Sequence, residues 1–208
     1  MNIETSKNLG GIGAILLVIG FLGFIGTGYS GILSLVGLVL VLIAMKGLSD
    51  YYKEAGIFNN TLYGFITSII AVVAFVAVIV VTLLETIADL GITDWTNTAE
   101  WTTAFQSNLS DMSTLFTFIG GIIVAFVVLF ILLVITAIFY RKSLNMLSSK
   151  SGVGMFSTAG LLLLIGAVLT IIVIGIIIIW IAIILLAVAF FSIKPVTTQA
   201  TPSTSPPP

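Results

Sequence analysis

Residues 161–191 read LLLLIGAVLTIIVIGIIIIWIAIILLAVAFF and lie within a run of 43 residues, 151–193, that contains no Asp, Glu, Lys or Arg. Three further uncharged runs cover residues 8–45, 55–84 and 112–140. A membrane-spanning helix needs about 20 mainly apolar residues, so each run is long enough to cross a bilayer. The sequence therefore predicts an all-α, multi-pass integral membrane protein that has the lipid bilayer as its solvent.

Two of the runs are too long for a single crossing. As one helix, residues 8–45 would be about 57 Å long, against a hydrocarbon core of about 30 Å. Residues 26–31 contain three glycines and are typical of a turn. Basic residues lie at both ends of the run 151–193, and such residues favour the cytoplasmic side. Two ends on the same side require an even number of crossings, so we expect a turn near Gly175. The alternative is one tilted span, which would place Lys194 on the outer side.

The predicted topology has six transmembrane helices, both termini in the cytoplasm and all seven basic residues on the cytoplasmic side of the cell membrane. Residues 85–112 form an outer loop, and residues 195–208 form a disordered tail rich in Pro, Ser and Thr. The predicted helices cover approximately residues 9–26, 30–45, 60–84, 113–139, 157–173 and 176–193.

The outer loop contains five acidic residues and no basic residue. Trp101, Phe105, Leu109 and Met112 recur on one face of a helix, which predicts an amphipathic helix. That helix lies either in the lipid headgroup layer or over the mouth of the bundle. Asn108 begins an N-glycosylation acceptor tripeptide and would face outward.

Glu85, Asp89 and Asp94 offer carboxylate oxygens where the third predicted helix leaves the membrane, as a hard cation requires. The alternative, which we favour, is that they solvate the helix end, because a calcium loop has more ligands at fixed short spacing. The sequence therefore predicts no metal site.

Catalysis is disfavoured by what the chain lacks. It contains no His and no Cys, the usual acid/base residue and the usual thiolate nucleophile. A charged residue inside a membrane span usually marks a functional site, and none of the predicted spans contains one. We predict no catalytic residues, no cofactor and no enzymatic activity. So few basic residues also argue against a nucleic-acid partner.

Small and hydroxylated residues are the remaining features of the spans. Gly13 and Gly20 share one helix face, as do Gly37 and Ala44, which predicts close packing of a helix hairpin; the alternative is an oligomer contact. A passive conduit would require the hydroxyl residues to converge on one cavity. These are Ser34, Thr67, Ser68, Thr117, Thr136 and Thr170.

Residues 46–54 and 141–150 are predicted to carry two helices past the lipid on the inner side. Their basic residues are expected to attract anionic lipid, or alternatively to dock a cytoplasmic partner.

Five segments resemble a family of small, mostly archaeal multi-pass membrane proteins called domain of unknown function 996. They are KNLGGIGAIL (7–16), LVLVLIAMK (38–46), IFNN (57–60), FSTAGLLLLIGA (156–167) and LLAVAFFSI (185–193). The resemblance implies the same membrane fold and supplies no functional residues. The leading functional hypothesis is therefore a structural or partner-binding membrane component, including a homo-oligomer. The alternative is a passive channel or carrier for a small neutral or apolar solute.

Overall fold

The structure is a computed structural model that describes residues 2–23, 30–94, 96–108 and 112–194. Within these residues the chain is helical, and six helices are long and apolar enough to cross a membrane. This confirms the predicted all-α class and the six candidate spans. The helices are α1 (Ile3–Gly23), α2 (Ser30–Tyr52), α3 (Ala55–Asp89), α4 (Thr98–Asn108), α5 (Met112–Ser151), α6 (Met155–Leu169) and α7 (Ile174–Phe191), with a 3₁₀ turn at Thr170–Ile172.

The six long helices form a closed ring. Their main contacts follow the order α1, α2, α3, α5, α6 and α7, and α7 packs against α1. Ile3 at the start of α1 and Ile193 after α7 belong to the same buried cluster. The two described ends of the chain therefore lie at the same end of the ring, as an even number of crossings requires.

One continuous core lies at the end of the ring where α1 begins and α7 ends. Its largest fully buried apolar side chains are Phe156, Phe190, Met45, Leu48, Ile57, Leu147 and Ile193. All seven Lys and Arg residues lie on the segments that meet here, and we call this the basic end. The opposite, acidic end carries Glu85, Asp89, Asp94 and Glu100. The charges are thus segregated as predicted, whereas the side of the membrane that each end faces stays a prediction.

The first hairpin is joined by direct backbone contact. A methyl group added at Gly37 would lie 2.6 Å from the carbonyl oxygen of Gly13, and one added at Gly13 would lie 2.7 Å from that of Gly37. Gly20 and Ala44 are buried as well. The predicted close packing of this hairpin is therefore confirmed, because α1 and α2 approach as only glycine permits.

The run 151–193 forms two helices, so the alternative of one tilted span is wrong. The reversal occurs at the 3₁₀ turn and at Val173, whose φ is +65°. We predicted it near Gly175, which instead lies in the first turn of α7. A side chain at Gly175 would collide with the carbonyl oxygen of Gly166. This glycine therefore serves close helix packing, and the neighbouring residues make the turn.

The predicted extensions of two helices past the uncharged runs are confirmed, because α2 continues to Tyr52 and α5 continues to Ser151. α3 also extends beyond its predicted span, past Glu85 to Asp89. A charged residue marks where lipid ends, but the backbone hydrogen bonds of a helix can continue in water. With 35 and 40 residues, α3 and α5 are about 52 and 60 Å long, whereas α7 with 18 residues is about 27 Å long.

The predicted outer loop is shorter than expected because α3 extends into it, and it contains the helix α4. Leu90, Ile92 and Ala104 form a small buried cluster, with Ile87 and Trp101 packed against it. The amphipathic helix therefore packs on the end of α3 and the segment that follows. Whether it also lies in the headgroup layer or over the bundle mouth stays a prediction. The predicted glycosylation at Asn108 also stays a prediction, since nothing is described of that side chain. Several parts of the predicted loop and tail lie outside the described residues. They are the side chains of Phe105 and Met112, the whole of Trp95 and Leu109, and residues 195–208.

Candidate functional site

The ring encloses a cavity of about 230 Å³. Every one of the six long helices contributes to its wall. The lining residues are Leu17 from α1, Leu38, Val41 and Met45 from α2, Thr61 from α3, Tyr140 and Leu144 from α5, Leu163 from α6, and Ile179, Ile183 and Leu186 from α7. It is the place where all the long helices meet, and we treat it as the candidate site.

The core separates this cavity from the basic end. Leu48 lies one turn further towards that end than the lining residue Met45, and Phe190 lies one turn further than Leu186. Phe190 and Phe156 pack edge to face there with ring centroids 5.2 Å apart. A solute could therefore leave towards the basic end only if these side chains moved.

The polar groups in the cavity wall are already hydrogen-bonded. The hydroxyl of Thr61 donates to the carbonyl of Ile57 at 2.9 Å and lies 2.7 Å from the hydroxyl of Ser143. Ser143 is fully buried and donates to the same carbonyl at 2.5 Å. The Tyr140 side chain is hydrogen-bonded to Ser68. The cavity surface is consequently apolar, and such cavities stay dry and admit apolar ligands.

The six predicted hydroxyl residues do not converge on this cavity. Thr67, Ser68, Thr117 and Thr170 each donate to a carbonyl of their own helix, at distances of 2.8, 2.7, 3.1 and 2.8 Å. Ser34 is half-buried, and neither it nor Thr136 is among the lining residues. These hydroxyls therefore do not line the central cavity, and conduction of a solute stays a prediction.

Two buried polar atoms have no hydrogen-bond partner among the described residues, Thr136 Oγ1 and Trp180 Nε1. Thr136 lies one turn from the lining residue Tyr140, and Trp180 directly follows the lining residue Ile179. A threonine hydroxyl can turn to its own helix, but an indole N–H cannot. Burial of the unpaired Trp180 indole N–H among apolar groups therefore lowers the free energy of unfolding.

The basic end is built from two short, internally bonded turns. Between α2 and α3, Ser49 donates to the carbonyl of Glu54 at 2.9 Å. Between α5 and α6, Ser148 donates to the carbonyl of Val153 at 3.1 Å. The Lys150 ammonium lies 3.1 Å from the Glu54 carboxylate and joins the two turns. These contacts link the α2–α3 turn to the α5–α6 turn at the basic end.

At the acidic end the carboxylates bond to the backbone beside α4. Glu100 accepts hydrogen bonds from the N–H of Thr93 at 2.6 Å, from its hydroxyl at 3.0 Å, and from the N–H of Asp94 at 3.2 Å. These bonds, led by that from the Thr93 backbone, hold the pKa of Glu100 below its usual value. Asp94 accepts from the N–H and the hydroxyl of Thr96, at 2.9 and 2.7 Å, which lowers its pKa too.

The candidate cation ligands are not assembled into a site. Asp94 is bonded to Thr96 rather than turned towards Glu85 and Asp89. In the part of the chain that the structure describes, no three acidic residues are close enough to hold a metal ion. The interpretation that these acids solvate the helix end stays a prediction.

In the part of the chain that the structure describes, six apolar helices form a ring with charged residues towards its two ends, which is the architecture of a helical membrane protein. The chain belongs to the family described as protein of unknown function DUF996, whose sequence profile matches residues 33–184. It is also similar to an uncharacterized protein of Methanocaldococcus jannaschii, with 33% identity over 193 residues, which are 93% of this chain and 94% of that protein. No solved structure matches the chain. The resemblance seen in the sequence is therefore confirmed, and neither description assigns an activity.

Proposed function

We propose that this protein is a non-enzymatic membrane component that binds an acidic protein partner at its basic end. The observation that carries the proposal is the excess of positive charge at that end. It holds all seven basic residues of the chain but only three acids, Glu4, Asp50 and Glu54. A preformed surface of one sign favours a partner of the opposite sign, because complementary charge steers and orients docking.

The interior supports a role without catalysis. Proton transfer and metal-assisted hydrolysis need titratable or metal-binding groups near the reacting atoms. The wall of the central cavity is formed by aliphatic side chains together with the bonded hydroxyls of Thr61 and Tyr140. None of the described charged residues lines this cavity. The geometry therefore favours binding over chemistry.

Site-specific photo-crosslinking in native membranes tests the proposal. A photoreactive residue at the exposed position Lys142 of α5 is expected to give one discrete crosslinked protein. The same residue at the exposed position Asp89, at the acidic end of α3, is the matched control and is expected to give none. Charge reversal of a neighbouring base, Arg141→Glu, should abolish the product because it removes the complementary charge.

Three outcomes would refute an acidic partner: no discrete product from Lys142, equal products from both positions, or a product that survives the charge reversal. A product of twice the mass of the chain would identify a second copy as the partner instead.

The cavity favours a second candidate function, the binding of a small apolar solute. A dry apolar cavity of about 150 Å³ already holds a benzene-sized ligand, and the cavity here is larger. The expected result is that toluene raises the thermal stability of the wild-type protein and not that of Leu163→Trp, which fills the cavity. Val168→Trp, at an exposed position of the same helix, is the control that should still respond. Equal responses of all three proteins would rule out binding in the cavity.

A further inference from the structure

A second cavity, of about 290 Å³, lies at the basic end between the end of α2 and the start of α3. Its wall contains two lysines, one carboxylate and one aromatic ring, from Lys46, Lys53, Asp50 and Phe58. We call it the lysine pocket. It is separate from the central cavity and shares no lining residue with it.

Among the described residues, only one of the two lysines of the pocket is paired with a carboxylate. The Lys46 ammonium lies 2.7 Å from the Asp50 carboxylate and 5.4 Å from the centre of the Phe58 ring. Lys53 has no carboxylate within ion-pair distance among the described residues. The wall therefore carries an excess of one positive charge, located at Lys53. An anion is the ligand that this charge distribution favours.

The backbone at Lys53 supports this assignment. Its φ is +51°, in the left-handed region that glycine adopts at much lower cost than other residues. The turn alone would therefore be made better by glycine. A side chain kept in an unfavourable backbone conformation points to a role for that side chain. Here the turn places the lysine in the wall of the pocket.

The position of the pocket along the helices selects the kind of anion. Lys46 is the first charged residue after the uncharged run 8–45, and Phe58 lies near the start of the uncharged run 55–84. The pocket consequently lies where α2 and α3 leave the apolar layer, at the depth of lipid headgroups. Basic pockets at this depth between membrane helices bind phosphorylated headgroups.

We propose that the lysine pocket binds the phosphate of an anionic membrane lipid. Lys53 supplies the uncompensated charge, Lys46 supplies a second ammonium, and Phe58 lies beside the lipid glycerol and upper acyl chain. Asp50 opposes the phosphate and limits the affinity. The proposal does not depend on the protein partner proposed above, because Arg141 and Lys142 lie outside the pocket.

Lipid titration of the full-length protein in a neutral detergent tests the proposal, with bound lipid counted by native mass spectrometry. One phosphatidylglycerol molecule is expected to bind more tightly than the rest, and phosphatidylcholine should show no such step. Lys53→Gln should weaken the tight step about fivefold, and Asp50→Asn should strengthen it by about the same factor. Lys142→Gln removes an equal charge from an exposed position outside the pocket, so it should leave the tight step unchanged.

Lys53→Gly removes the lysine charge while it preserves the backbone conformation of the turn. Because glycine suits the positive φ, this variant should unfold at the same temperature as the wild type or higher, yet lose the tight step as Lys53→Gln does. Millimolar inorganic phosphate should not displace the lipid. The proposal is overturned if Lys142→Gln weakens binding as much as Lys53→Gln, since the charge effect would then be diffuse. It is also overturned if Asp50→Asn fails to strengthen binding, or if inorganic phosphate competes, which would make this a site for free phosphate.

Discussion

Replacement of Gly37 by alanine should open the first hairpin, although it adds a single methyl group. The added carbon would lie 2.6 Å from the Gly13 carbonyl oxygen, 3.0 Å from the Leu17 nitrogen and 3.1 Å from Leu16 Cβ. The nearest two atoms belong to the α1 backbone, so no side-chain rotation can relieve the collision. The two helices have to separate by several tenths of an ångström.

The expected loss follows from two opposing effects. Overpacking of a well-packed interface costs about 1–3 kcal/mol. Alanine in place of glycine within a helix raises the free energy of unfolding by about 0.5–1 kcal/mol. We therefore expect Gly37→Ala to lower the free energy of unfolding by about 1 kcal/mol, within a range of about 0–2.5 kcal/mol. Gly31→Ala is the matched control on the same helix, because a methyl group there would have nothing within 4 Å.

The measurement is reversible unfolding in mixed micelles, with helicity followed by circular dichroism as the fraction of sodium dodecyl sulfate rises. Gly31→Ala should be neutral or slightly stabilising. Gly13→Ala should resemble Gly37→Ala, and the double variant should lose less than the two single losses combined, since one separation relieves both collisions. Equal stability of Gly37→Ala and Gly31→Ala would refute the direct backbone contact as the basis of the hairpin.

Three further outcomes are expected. Ser143→Ala removes a buried bond between α5 and α3 and should cost about 1 kcal/mol in the same unfolding assay, whereas Ser149→Ala, whose hydroxyl bonds to its own helix, should be neutral; equal effects would contradict the interhelical role. Val173→Gly should raise the unfolding midpoint, because glycine accepts a φ of +65° that costs about 1–3 kcal/mol in other residues, and Ile172→Gly, the control, should not. The lowered pKa of Glu100 means that its bonds stabilise the segment before α4 at neutral pH and are lost only as the pH falls below the usual glutamate range. The protection factor of that segment against amide exchange, corrected for the intrinsic pH dependence of exchange and measured by mass spectrometry, should therefore fall on acidification and be lower in Glu100→Gln at neutral pH, and equal protection of the variant and the wild type at neutral pH would disprove the assignment.

Charge and length were sufficient to predict the helical skeleton. Uncharged runs show where lipid must surround the chain, and bases at both ends of residues 151–193 require an even number of crossings. The same reasoning ended the third predicted helix too early, because α3 continues past Glu85 to Asp89. A charge determines where a helix leaves lipid and does not determine where its hydrogen bonds stop.

The candidate site was not predictable from the sequence, for a physical reason. When every face of a helix is apolar, periodicity does not show which face points inward. The ring order and the central cavity depend on the relative rotation of six such helices. The pairing of Thr61 with Ser143 depends likewise on the register between α3 and α5. The positive φ of Lys53 and of Val173 had no signal in the sequence, because neither residue is a glycine or an asparagine.

Because the helices on one side of the ring are longer than those on the other, the two sides of the bundle differ in apolar height. The uncharged part of α3 extends for 30 residues, about 45 Å, while α7 across the ring offers 18 residues, or about 27 Å. Lipids on the α3 and α5 side therefore meet a taller apolar wall than lipids on the α7 and α1 side. The bilayer accommodates such a difference by thickening on one side or by tilting the whole ring. A membrane of uneven thickness would accordingly orient this protein laterally.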